Sequence, residues 1–304
     1  MIECLNANNP EIAWIVMSRW LVGAVASLYE PRFKSKLTPV LQGSQSVMKT
    51  AFIDRIANML PRAFLEGADL NPNSKDSVLH AIRSFIVELG ELERTTKSRF
   101  AHQGSIKAFL TKQVDTVRPP FAKSDVRKPR KTHFIASVNG TDFLKDETGN
   151  SRYGVIEISR PINMDKVNEI LGWHYDGSGS LTHQHPEQLK QFWLEVKSMY
   201  DGGYGWMLTA TEQRLVSHAT ERHNDKGDWY HVLYDKFVHV PESQYRKGEW
   251  LTATEVCEYL GEQKQRSRTI GKALTKLASE GLIESRTSRG KSQYLIVVVT
   301  NRRE

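Results

Sequence analysis

The chain has 304 residues, 39% hydrophobic and 25% charged, enough for one sizeable core plus one or two small domains. No apolar run near the ~20 residues of a membrane helix is evident, Met1-Ile-Glu-Cys4 opens no secretory signal, and Cys4 and Cys257 stand too far apart for a metal pair, so a cytoplasmic, membrane-free protein is expected. A net charge of +7 favours an anionic partner such as nucleic acid.

Taken in chain order, residues 10–30 repeat apolar positions at three and four, which predicts an amphipathic helix ended by Pro31. From 36 to 160 short apolar strands alternate with helical stretches. Strands are expected at Pro39–Leu41, Phe85–Val87, His133–Val138 and Val155–Ile158, with helices over Thr50–Leu60, Asp76–Arg83 and Ile106–Gln113. Such alternation implies α/β architecture with a mostly parallel, helix-covered sheet. Asp176-Gly-Ser-Gly-Ser180 reads as a loop or linker. Helices resume at 186–202 and 209–224, the second with a capping box at Thr209. The expected division is an N-terminal helical segment (1–35), a core (36–160), a helical region (161–245) and a terminal module (246–304).

Between the first strand and the next helix lies Gly43-Ser44-Gln45-Ser46-Val47-Met48-Lys49-Thr50. A glycine turn followed by Lys-Thr is a phosphate-binding arrangement. Backbone N–H groups face the anion, the lysine reaches the outer phosphates of ATP and the threonine hydroxyl takes Mg2+. The P-loop template has glycine where this chain has Met48, at a position whose torsions penalise a Cβ by about 1–3 kcal/mol. Farther on, an apolar strand ends at Glu88, with Glu91 close behind; Asn139 ends another strand, and Arg152 follows 13 residues later. The acid at the strand end suits metal binding, the asparagine suits holding the attacking water or sensing the γ-phosphate, and the arginine suits reaching a neighbouring subunit's nucleotide. Histidines 174, 183, 185, 218 and 223 lack zinc spacing and are expected to face solvent.

The terminal module reads as helix, turn, helix and β-ribbon. Thr252–Gly261 is a capped helix and Ser267–Gly281 a second one; strands at 282–286 and 293–299 flank a basic turn. This is the pattern of a winged helix. Its second helix carries Arg266, Arg268, Lys272 and Lys276, and the wing carries Arg286, Arg289 and Lys291, which fits a helix in the major groove with the wing on the backbone.

Longer strings carry a resemblance. Arg19–Ala26, Leu41–Gln45, Val87-Glu-Leu-Gly-Glu-Leu-Glu93, Lys107–Leu110, Asp115–Pro120, Asn139, Asp146–Tyr153, Phe192–Val196 and Gly205–Thr209 together resemble the virulence-associated protein E family of phage and pathogenicity-island replication proteins, related to superfamily III helicases. The likeness covers roughly residues 10–235. It implies an AAA+-like P-loop ATPase that assembles as a homo-oligomeric ring on DNA at replication initiation. Some relatives carry a primase domain ahead of this core, for which this chain has no room, so a separate primase is an expected partner. By position, Lys49 and Thr50 look like the phosphate and magnesium residues, and Glu88 and Glu91 like the acidic pair. Asn139 resembles the sensor and Arg152 the trans-acting arginine finger. Arg118 looks like part of the segment that approaches DNA in the ring's channel. The rival expectation is a non-hydrolysing DNA-binding or regulatory protein that keeps a degenerate ATPase core for oligomerisation, a reading favoured by Ser46 and Met48.

Overall fold

The structure, a computed structural model, describes residues 1–90, 103–118, 121, 123–141, 143–144, 151–223, 226–239, 246–288 and 290–299. The chain divides into two compact units, Met1–Asn224 and Asp225–Glu304.

The first unit is built on a parallel sheet. Helix α1 (Pro10–Tyr29) starts with Asn9 as its cap, the side chain accepting from Ile12 N, and Pro10 in the first turn. Strand β1 (Thr38–Gln42), α2 (Lys49–Ala57), β2 (Phe64–Leu65), α3 (Lys75–Ala81), β3 (Ile86–Leu89) and α4 (Gln103–Leu110) follow. Next come β4 (Val114–Val117), β5 (Val126–Pro129), β6 (His133–Val138) and β7 (Tyr153–Glu157). The unit closes with α5 (Met164–Leu171), β8 (Trp173–Tyr175), β9 (Leu181–His183), α6 (Pro186–Asp201) and α7 (Ala210–Glu221). The central sheet runs β2-β3-β6-β1-β7, every neighbouring pair parallel.

Strands in such a sheet are buried on both faces, which is why they read as unbroken apolar runs. Their side chains alternate with period two. Leu41, Ile86, Ile135 and Ile156 join a core with Trp20 of α1, Phe52 of α2, Leu171 of α5 and Leu189 of α6. Val40, Val87, Phe134, Ala136 and Val155 join another with Ile106 and Phe109 of α4 and Phe143. Helix α1 corrects one expectation. At 20 residues it is long and apolar enough to cross a membrane, and 78% of its most apolar stretch is buried in the fold. Packing against the sheet accounts for that composition.

Two small hairpins stand outside the sheet. In β4–β5, Asp115 and Arg130 form a buried ion pair with Arg130 Nε 2.6 Å from Asp115 Oδ2, and the guanidinium lies 4.4 Å from the Phe109 ring centroid. That pairing fixes the hairpin's base on α4. Strands β8 and β9 pair around Asp176–Ser180, so this stretch is a hairpin turn and not a linker. His183, expected at solvent, stacks on Trp173 at 3.9 Å.

The second unit contains α8 (Asp228–Leu233), a π turn (Tyr234–Val238), β10 (Arg246–Thr252), α9 (Ala253–Tyr259), α10 (Ser267–Ser279), β11 (Ser285–Ser288) and β12 (Lys291–Val299). Its sheet is antiparallel in the order β10-β12-β11. A capping box between Thr252 and Glu255 starts α9. The unit begins earlier than the expected 246, because Tyr230, Leu233 and Phe237 are buried with Val256, Ile270, Leu274 and Ile296. The expected strand at 282–286 forms at 285–288, and β10 was not foreseen.

Candidate functional site

Register places the carboxyl ends of β3, β6, β1 and β7 side by side: Gln42 is opposite Val138 and Glu157, and Leu89 is opposite Ala136. In open parallel sheets this edge is where ligands bind. The turn from β1 to α2 crosses it. Gly43 must be glycine for space, since a Cβ there would lie 2.9 Å from Ile158 O. The turn then takes left-handed torsions at Ser46 (φ 66°) and Met48 (φ 67°). The chain therefore adopts at Met48 the conformation for which the template uses glycine, and the Met48 side chain escapes a clash by staying 51% exposed. Met48 also begins α2 without any side-chain cap, leaving the first N–H groups of that helix to another acceptor.

Four predicted residues meet here. Lys49 Nζ donates to Gly43 O and Ser44 O, both at 2.9 Å, and to Asn139 Oδ1 at 3.0 Å. Thr50 Oγ1 donates to Glu88 Oε1 at 2.7 Å. Glu88 is 1% exposed, and its Oε2 has no hydrogen-bond partner among the described residues. Burial pushes the Glu88 carboxyl above the usual carboxylate range. The Thr50 and Ser137 hydroxyls and the Gly67 N–H pull it down, and the charge of Glu66 pushes it up again. A buried carboxyl with one unmet oxygen, held by a threonine at a helix N-terminus, is chemically suited to a divalent cation or an activated water.

Glu66 and Ser137 were not foreseen. Glu66 follows a two-residue edge strand that left no periodic signal, and reaches Glu88 because Leu65 is paired with Val87. The glycine in the Val-Glu-Leu-Gly string has a steric reason: a Cβ on Gly90 would lie 2.9 Å from Gly67 Cα. Glu91 lies outside the described residues.

Arg152 does not join this cluster. It precedes β7 at the opposite edge of the sheet, its carbonyl accepting from Thr38 N at 2.7 Å, and β7's five residues span about 16 Å at ~3.3 Å each. Its Nε is buried without a partner among the described residues. Lys107 of α4 is buried nearby, and burial, then the Arg152 charge, lowers its pKa. Arg118 follows β4, its guanidinium donating to Lys123 O at 3.3 Å, with Phe121 of the same loop fully exposed.

In the second unit Arg268 and Lys272 are exposed on α10, and Lys276 is half-buried. Arg266 is tied to Glu262 at 2.8 Å. Arg286 lies 4.2 Å from the Trp250 ring centroid and donates to Gln293 Oε1. Lys291 is exposed at the start of β12; Arg289 lies outside the described residues. His223, expected at solvent, is instead buried, 3% exposed.

Residues 1–225 match the family model of the virulence-associated protein E-like domain. Among solved structures, the apo structure of the NrS-1 C-terminal region aligns at 13% identity with a TM-score of 0.41, covering 97% of this chain and 75% of that one. An A-form apo structure of the same region gives 13% identity, a TM-score of 0.39 and coverage of 97% and 76%. A further A-form structure gives 11%, 0.40, and 94% and 75%. No curated protein matches the sequence.

Proposed function

The chain belongs to the virulence-associated protein E-like domain family, and on that premise we propose that it is an ATP-driven, helicase-like DNA replication protein of a phage or prophage. The observation that carries the reading is the meeting of Lys49, Thr50, Glu88 and Asn139 at one sheet edge. In this reading the turn from Gly43 to Thr50 binds the phosphates of ATP. Its uncapped helix N-terminus supplies N–H donors, and Lys49 exchanges the Gly43 and Ser44 carbonyls for phosphate oxygens. Thr50 and Glu88 would hold Mg2+, directly or through water, and the ion would supply charge neutralisation at the phosphates.

Glu88 orients the attacking water and draws off its proton as the new bond to the γ-phosphorus forms and the bond to the ADP oxygen breaks. Asn139 holds the γ-phosphate side of the site beside Lys49. Arg152 stands at the other edge of the sheet from its own chain's site, which supports its action on a neighbour's nucleotide in a homo-oligomeric ring, an effect worth about 10³–10⁵ in rate in other NTPases.

The second unit, in which α9 and α10 stand beside a three-stranded ribbon, acts in this reading as a winged helix on DNA. Arg268, Lys272 and Lys291 are its leading contacts, and Arg118 on the β4–β5 hairpin contacts the strand passing through the ring. The rival, a non-hydrolysing DNA-binding protein, draws on Lys49, whose ammonium already bonds the turn's own carbonyls. Steady-state ATP turnover of the full chain, with and without single-stranded DNA, separates them. DNA-stimulated turnover that is lost in Lys49→Ala supports the motor; turnover at the level of buffer under both conditions supports the rival.

A further inference from the structure

His223 takes part in none of the phosphate chemistry above, yet it is bonded at both ring nitrogens. Nδ1 lies 3.0 Å from the Thr141 carbonyl oxygen and Nε2 lies 2.9 Å from Glu157 Oε1. A carbonyl oxygen can only accept, so the ring donates to Thr141 through Nδ1, while the other nitrogen meets Glu157. Burial pushes its carboxyl up, but hydrogen bonds from the Asn8 amide and His223, with the His223 and Arg222 charges, hold it below the usual range.

The contacts converge on the loop that carries Asn139. Thr141 is bonded through its carbonyl, the Phe143 ring lies 5.5 Å from the His223 ring, and Leu144 N donates to His223 O at 3.1 Å. On the other side, Glu157 pairs with Gln42, and the carbonyl of Ile158 is what presses on Gly43. One side chain thus spans the asparagine loop and the strand that backs the phosphate turn.

We propose that His223 is a positioning residue that fastens the Asn139 loop to β7 and so holds Asn139 at Lys49 for ATP binding. The role rests on the ATPase reading.

Calorimetric titration of the full chain with magnesium-ATP tests it. His223→Gln is expected to bind about tenfold more weakly than the wild type, the size of one hydrogen bond. In an Asn139→Ala background the same substitution is expected to cost no further affinity, because its effect passes through Asn139. A second full loss of about tenfold in that background, which a merely structural histidine would give, overturns the proposal. ATP affinity in His223→Gln equal to wild type overturns the role while leaving the ATPase reading intact. A wild type that binds no ATP overturns both.

Discussion

Replacing Glu88 with glutamine should separate stability from activity. The carboxyl is 1% exposed, accepts from Thr50, and leaves Oε2 without a partner among the described residues. Its pKa is raised in the fold, chiefly by burial. A carboxyl with a folded pKa above its unfolded value binds more protons folded than unfolded. Its contribution is most favourable below the unfolded value near 4.3, and stability is lost as pH rises through the folded pKa. As pH rises through the folded pKa, the wild type therefore takes on the cost of an ionised, half-satisfied group. Glutamine removes that charge and keeps an oxygen for Thr50, so Glu88→Gln should be more stable at pH 7 by about 1–3 kcal/mol. For a unit of this size each kcal/mol moves the melting midpoint by roughly 2–4 °C. At pH 4 the two proteins should melt within about 2 °C of each other, since the wild-type carboxyl is then neutral. ATP affinity should persist, while turnover should fall by about 10²–10⁴, the usual scale for loss of a positioned base. Calorimetric melting at both pH values, beside a phosphate-release assay, reads both effects. A Glu88→Gln chain that melts lower at pH 7, or that turns over ATP normally, refutes the reasoning.

Met48→Gly should stabilise the first unit by roughly 1 kcal/mol in urea unfolding, because a left-handed methionine is strained where glycine is not; a loss of stability would mean that the methionine side chain packs usefully. Mixing Arg152→Ala chains with Lys49→Ala chains should restore part of the turnover that each lacks alone, and no recovery in a demonstrably mixed assembly counts against a trans-acting arginine. A fragment of residues 225–304 should unfold cooperatively, whereas 249–304 should not, because it lacks Tyr230, Leu233 and Phe237 of the shared core, each worth about 2–5 kcal/mol; equal circular-dichroism melts would contradict that core. In the full chain, Arg268→Ala with Lys272→Ala should weaken duplex binding and reduce the salt slope by about 0.9 per lost phosphate contact, more than Arg266→Ala, whose guanidinium is already tied to Glu262.

What the sequence revealed was mostly local. The apolar periodicity of α1, the capping boxes at Thr209 and Thr252 and the glycine-to-lysine spacing are set by neighbours within a few positions. Glu88 and Asn139 could be picked out because each ends an apolar run, and the fold brings both toward the Lys49–Thr50 turn. Helix α5 was legible and missed: Asn163 caps it, and Val167 and Leu171 mark its buried face. Strand β10 had no such signal, since Arg246-Lys-Gly-Glu-Trp-Leu-Thr252 becomes a strand only by pairing with β12. The nearness of Glu66 to Glu88 depends on strand order, which periodicity does not encode. His223 was placed at solvent because polar neighbours surround it in sequence; its burial comes from Thr141, Phe143 and Glu157, all more than 60 positions away.

The central claim is that the turn ending in Lys49 holds the phosphates of a nucleotide. Calorimetric titration of the full chain with a non-hydrolysable ATP analogue and Mg2+ tests it directly, with Lys49→Ala alongside. Saturable binding by the wild type, weakened at least about a hundredfold in the variant through loss of a charge-assisted phosphate contact, is the predicted result. Equal affinity in the two proteins, or no binding by either, would contradict it.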